Sequence, residues 1–161
     1  MHALRLEQGL GLRYAEYAKL TRAMGAHDVS DAFAEMERLE EQESRALRAG
    51  VDRAQYPERS AWQSVWHLTC APEIDAHKRV RPQDAREALQ LALAAERRAE
   101  SFYTDTASHA RDAMVRSCAA ELAEIKGLRL RQLEHLLARE TRSSWFGLRL
   151  RAHVRTRARG A

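Results

Sequence analysis

Residues 92–103 read ALAAERRAESFY, and residues 5–20 read RLEQGLGLRYAEYAKL. Each stretch carries an acid followed seven positions later by a tyrosine, Glu96 with Tyr103 and Glu7 with Tyr14, so the two superpose at an offset of 89 residues. A second correspondence lies downstream of each. Val29, Ala32, Phe33 and Met36 fall on Val115, Cys118, Ala119 and Leu122 at an offset of 86. The apolar registers agree in both comparisons, so the chain reads as two similar helical pairs. Each pair is unable to close a core alone, and the two are predicted to pack face to face about a pseudo-twofold axis.

Outward from these stretches, Leu4, Leu10, Tyr14, Tyr17 and Leu20 recur near the 3.6-residue period, which predicts a helix over 2–24 with one buried stripe. A turn at Gly25, Ala26 and His27 leads to Asp28 and Asp31, an acidic helix start, and Val29, Ala32, Phe33, Met36 and Leu39 carry a second helix to about Gly50. Residues 51–81 are broken by Pro57 and Pro72, and only 58–69 have a helical pattern, so they are predicted to form a long crossover. Pro82 suits the first position of a third helix, whose apolar positions Ala85, Leu89, Leu91, Ala92 and Ala95 continue to about Ala107. A short link at 108–112, with His109 placed at the start of the next element as a capping or surface group, precedes a fourth helix. That helix is marked by Val115, Cys118, Ala119, Leu122, Ile125 and Leu133. The fold class is all-α: four long helices with one crossover between the second and third, a single-crossover bundle.

Composition narrows this further. With 161 residues, 45% of them hydrophobic, the chain suits one compact domain, and seven Gly and three Pro leave too little punctuation for a many-stranded fold. No apolar run approaches the roughly 18–20 residues needed to span a bilayer, so a cytoplasmic location is expected. Cys70 and Cys118 are too few for a disulfide framework or for a rubredoxin iron site of four thiolates, and no haem site is expected. The net charge of +4 resides in the end of the chain, where Arg142, Arg149, Arg151, Arg155, Arg157 and Arg159 occur without an acid between 142 and 159. The bundle therefore occupies 1–141 and an arginine-rich extension 142–161, and no nucleic-acid partner is expected. Trp145, Phe146, Leu148, Leu150 and Val154 among those arginines are compatible with an anionic membrane surface or acidic partner. Arg149 and His153 break the apolar face, so a short helix folded back on the bundle is the more ordinary expectation.

A Glu on the apolar side of each of two helices, with an acid pair three residues apart on another, is the arrangement that holds two metal ions inside a bundle. Glu40 and Glu43 stand at i and i+3 and can point together toward the axis, where Glu7 and Glu96 arrive from the first and third helices. Carboxylates are hard oxygen donors suited to iron or manganese, and burying four without cations is prohibitively costly. Something positive must lie nearby.

With 32–43 (AFAEMERLEEQE) and 107–130 (ASHARDAMVRSCAAELAEIKGLRL), these stretches resemble the two halves of rubrerythrin-related ferritin-like proteins over roughly 3–50 and 82–138, ERRAESFY being the most specific part. The resemblance implies a ferritin-like four-helix bundle, homodimer formation, and a di-iron centre that reduces peroxide or handles iron and oxygen. It also implies a Glu on the first helix and Glu-x-x-His on the second, then the same set again. The first set falls on Glu7 and Glu40, with Glu43 where His is usual. In the second, Glu96 is kept, but a gapless alignment places Lys126 at the Glu position and Arg129 at the His position, where neither can ligate while protonated. An alternative alignment using Glu121 and Glu124 restores an acid pair. It requires a deletion in the link and rotates Val115, Cys118 and Leu122 away from their repeat partners, so the gapless version is preferred.

Four acids and two bases leave a deficit of two positive charges, to be met by one divalent ion at Glu7, Glu40, Glu43 and Glu96 or by protons on carboxyls raised by burial. Zero or one metal ion is expected rather than two. Tyr14 and Tyr103 can hydrogen-bond a ligand carboxylate or simply fill the core. His67, Trp62 and Trp66 are expected to form an aromatic lid, and Glu37, Glu41 and Arg45 to face solvent. Two function classes follow: an oxidoreductase of the di-iron kind with an impaired or mono-metal centre, or a non-catalytic bundle held by internal salt bridges and acting as an interaction or regulatory module.

Overall fold

The computed structural model describes residues 2–53 and 80–157, with side chains over 2–50 and 80–142. Four helices account for nearly all of them: α1 (His2–Ala23), α2 (His27–Arg53), α3 (Ala85–His109) and α4 (Ala113–Arg157). Among the described residues there is no strand, and no helix is long and apolar enough to cross a membrane. Two antiparallel hairpins, α1 with α2 and α3 with α4, pack into an all-α four-helix bundle, with the long connection between α2 and α3. The crossover helix expected at 58–69, with Trp62, Trp66, His67 and Cys70, lies outside the described residues.

Local chemistry sets the turns. Gly25 takes φ of 80°, a left-handed conformation that costs glycine nothing, while Gly25 N–H reaches Arg22 O (3.0 Å) and Ala26 N–H reaches Thr21 O (2.9 Å). That paired closure satisfies carbonyls the end of α1 leaves free. The third helix begins later than Pro82. Asp84 is its N-cap, accepting Glu87 N–H at 2.7 Å, and Glu87 in turn accepts Gln83 N–H at 2.7 Å. A side-chain acceptor fixes the start more strongly than the preset φ of proline, and Pro82 is a buried residue just ahead of the cap. Asp112 caps α4 through Met114 N–H (2.7 Å) and Val115 N–H (3.1 Å). His109 thus belongs to the exposed end of α3 rather than to the start of α4.

The core joins Leu6, Leu10, Tyr14 and Tyr17 of α1 to Phe33 and Met36 of α2, Leu89, Leu93 and Tyr103 of α3, and Leu122 and Leu133 of α4. The Phe33 ring packs on Tyr14 and Tyr17 with centroids 5.8 and 5.4 Å away. Each large apolar side chain removed from water stabilises the bundle by about 1.5–3 kcal/mol before entropy is counted. The basic segment is no separate folded-back helix. Its backbone continues α4 to Arg157, making α4 a 45-residue helix, roughly 68 Å long. No proline interrupts 113–157, and Ala, Leu and Arg sustain the helix on propensity.

Candidate functional site

The buried stripe of each helix carries charge at its centre. On α1 it runs through Glu7, Leu10, Tyr14 and Tyr17, and on α3 through Ala92, Glu96, Ala99 and Tyr103. On α2, Phe33 and Met36 are followed by Glu40 and Glu43, and on α4, Ala119 and Leu122 are followed by Lys126 and Arg129. Helical spacing that turns the apolar residues inward turns these inward too. Glu7, Glu40, Glu96 and Lys126 are fully sealed from solvent, and Arg129 is 3% exposed.

The two halves interlock residue for residue. Tyr14 donates its hydroxyl to Glu96 Oε1, and Tyr103 donates to Glu7 Oε1, so each tyrosine serves the acid of the opposite half. On the other helix pair, the contacts join residues that are repeat partners. Lys126 Nζ lies 2.7 Å from Glu40 Oε1 and Arg129 Nη2 lies 2.6 Å from Glu43 Oε1, each across 86 positions. Equivalent residues meet only beside a twofold axis, so Glu40, Glu43, Lys126 and Arg129 sit along it. Lys126 Nζ also lies 2.6 Å from Glu7 Oε2 and 3.8 Å from Glu43 Oε2, while Arg129 Nη1 binds Glu40 Oε1.

Burial governs the protons. The Glu43 carboxyl is pushed up to about 7, chiefly by desolvation and against the opposing pull of Lys126. Glu96 is raised by desolvation too, which Lys126 and the Tyr14 hydrogen bond only partly offset. Desolvation, with the charges of Glu96 and Glu7 respectively, raises the Tyr14 and Tyr103 hydroxyls, keeping both as protonated donors. Desolvation lowers Arg129. Four carboxyls face two cations. Burial raises two of the four, Glu43 and Glu96, toward their neutral forms, which works against the excess of negative charge.

Glu7, Glu40 and Glu43 offer oxygens within 4.8 Å of one another, a spacing suited to a metal ion. The Lys126 ammonium, however, lies among those same oxygens, and Arg129 takes the next position. Protonated Lys and Arg donate hydrogen bonds and cannot coordinate. The six positions therefore do not fit a di-metal centre. Glu121 and Glu124, the acids of the alternative alignment, are exposed and face away from the cluster, which corrects that option. Their register places Leu122 and Lys126 inward instead. Glu37, Glu41 and Arg45 are on the surface, the last two paired with each other.

Two participants escaped the sequence reading. Ser44 is buried with its Oγ lacking a hydrogen-bond partner, and it shares with Glu7, Gln8 and Gly11 a surface groove of about 480 Å³ between α1 and α2. Gly11 faces α2 beside the cluster, where a Cβ would stand 3.4 Å from Glu40 Cβ, in ordinary van der Waals contact. A glycine within an otherwise strong helix former was the available signal.

No protein-family model matches the chain, and no curated protein matches it significantly. Among solved structures, it is similar to an uncharacterized conserved protein from Magnetospirillum magnetotacticum MS-1, with a TM-score of 0.68 and 22% sequence identity, over 86% of this chain and 90% of that one. The likeness is one of fold.

Proposed function

We propose that this chain is a ferritin-like bundle whose metal-binding interior has been replaced by an internal Glu/Lys/Arg network, and that it acts as a non-catalytic interaction or regulatory module. The observation that carries this reading is the position of Lys126 Nζ, 2.6 and 2.7 Å from Glu7 and Glu40, among the acids best placed to hold an ion. A divalent ion bound there meets an ammonium at contact distance, a repulsion of several kcal/mol at any interior dielectric. The contact surface we assign to the module is the arginine-rich C-terminal segment, whose six arginines between 142 and 159 suit an anionic partner or membrane surface.

A second reading, a mono-metal oxidoreductase, is favoured by the mutual approach of the Glu7, Glu40 and Glu43 oxygens. It requires Lys126 to withdraw from the cluster. Aerobic iron(II) titration followed by oxo-bridge absorption separates the readings. The wild type is expected to give no such band and Lys126→Glu/Arg129→His to gain it. A full di-iron signal from the wild type sinks the proposal, and metal-dependent peroxide turnover without that band supports the second reading.

A further inference from the structure

Lys126 and Glu7 face each other under conditions that favour a bond as well as an ion pair. Both are sealed from water, and Lys126 Nζ lies 2.6 Å from Glu7 Oε2, an oxygen bonded to the carboxyl carbon. The other oxygen, Glu7 Oε1, accepts the Tyr103 hydroxyl, which is therefore aimed at the atom where negative charge develops when that carbon is attacked. Glu40 Oε1, 2.7 Å from the same nitrogen, is an acceptor for its proton. Glu40 itself has no such donor on its second oxygen, since Oε2 is without a hydrogen-bond partner. Of the two acids touching Lys126, Glu7 alone has an electrophile's surroundings, and Glu40, held by Arg129, has those of a base.

The geometry points to a self-catalysed isopeptide bond between Lys126 Nζ and Glu7 Cδ, tying α1 to α4. The inference rests on the reading that Lys126 occupies the acid cluster. The atoms balance without a co-reactant. The ammonium passes one proton to Glu40, the freed lone pair attacks Glu7 Cδ, and the C–Oε2 bond breaks as Glu40 hands that proton on to Oε2 and the nitrogen gives Oε2 a second. Oε2 leaves as water, carrying two hydrogens that began on Lys126, and the amide nitrogen keeps the third. Neither carbon nor nitrogen changes oxidation state. Held groups react as though at very high concentration, on the order of 10⁵ M or more for well-oriented pairs. Condensation also exchanges two buried charges for a neutral amide, relieving their desolvation.

Intact-mass spectrometry of the purified, denatured full chain tests this, with Lys126→Arg as the comparison. The expected wild-type mass is lower than its sequence mass by one water, the variant's is undiminished, and fragmentation yields a branched peptide joining Glu7 to Lys126. Tyr103→Phe is expected to slow the loss at least tenfold in a time course after refolding. A wild type that keeps its full mass overturns the inference, as does a cross-link mapped to any other acid. In that event labelling of the native chain with an amine reagent decides the reading beneath it. An unlabelled Lys126 keeps the buried ion pair, whereas a labelled one removes both.

Discussion

Replacing Lys126 by Met removes the ammonium and keeps an unbranched stem of similar volume, so packing changes should cost under about 1.5 kcal/mol. The electrostatic loss is larger. The ammonium has two fully buried carboxylates at 2.6 and 2.7 Å and a third carboxyl at 3.8 Å. Removing one member of a buried pair leaves an uncompensated charge and costs roughly 3–5 kcal/mol. For a chain of this length each kcal/mol lowers the melting temperature by about 2–4 °C, so Lys126→Met should melt roughly 6–20 °C below the wild type. Urea denaturation at neutral pH reads the free energy and calorimetry the temperature. Lys126→Met combined with Glu7→Gln supplies the control. The side-chain amide introduced on α1 can still accept from Tyr103 but carries no charge. The double variant should therefore be more stable than Lys126→Met alone, with a coupling of about 2 kcal/mol in the cycle. A single variant within about 0.5 kcal/mol of the wild type, or strictly additive effects, would refute the reasoning.

Three further outcomes are expected. Glu43 has a folded-state pKa of about 7 against an ordinary value of 4.5, so its contribution is complete below about pH 4.5 and lost as pH rises through 7. Unfolding free energy should therefore drop by roughly 2 kcal/mol between pH 5 and pH 8 in urea titrations, and Glu43→Gln should flatten that slope. Tyr14→Phe and Tyr103→Phe each remove a hydroxyl donor from a buried acid of the opposite half. Each should cost about 1.5–3 kcal/mol in thermal unfolding, and a silent variant at either site would contradict the reciprocal pairing. Asp84→Ala removes the cap of α3 and should cost about 1 kcal/mol by the same measurement, with no loss of helix content beyond the first turn.

How far the fold could be read in the chain depended on whether a feature was periodic. The offsets of 89 and 86 placed Glu7 opposite Glu96 and Glu40 opposite Lys126, because an apolar register carries its charged positions with it. The same register decided between Lys126 with Arg129 and Glu121 with Glu124: turning Leu122 inward leaves Glu121 and Glu124 on the outside. What the repeat did not reveal was the crosswise service of the tyrosines. Which acid each hydroxyl reaches depends on how two helices from different halves lie side by side. Ser44 was illegible for a similar reason, since an orphaned hydroxyl is a property of a helix pair. Local competition misled at two ends: Asp84 rather than Pro82 set the start of α3, and Asp112 rather than His109 set the start of α4.

The most direct test of the proposal that Lys126 and Arg129 stand in for metal is the metal content of the chain itself. Protein produced in iron-replete medium, then loaded anaerobically with iron(II) and passed through gel filtration, should be measured by plasma-emission spectrometry alongside Lys126→Glu/Arg129→His. Well under one ion per chain in the wild type, with a clear gain in the double variant, is the expected result. Two irons per wild-type chain would contradict the assignment of Lys126 and Arg129 as the cations of the core.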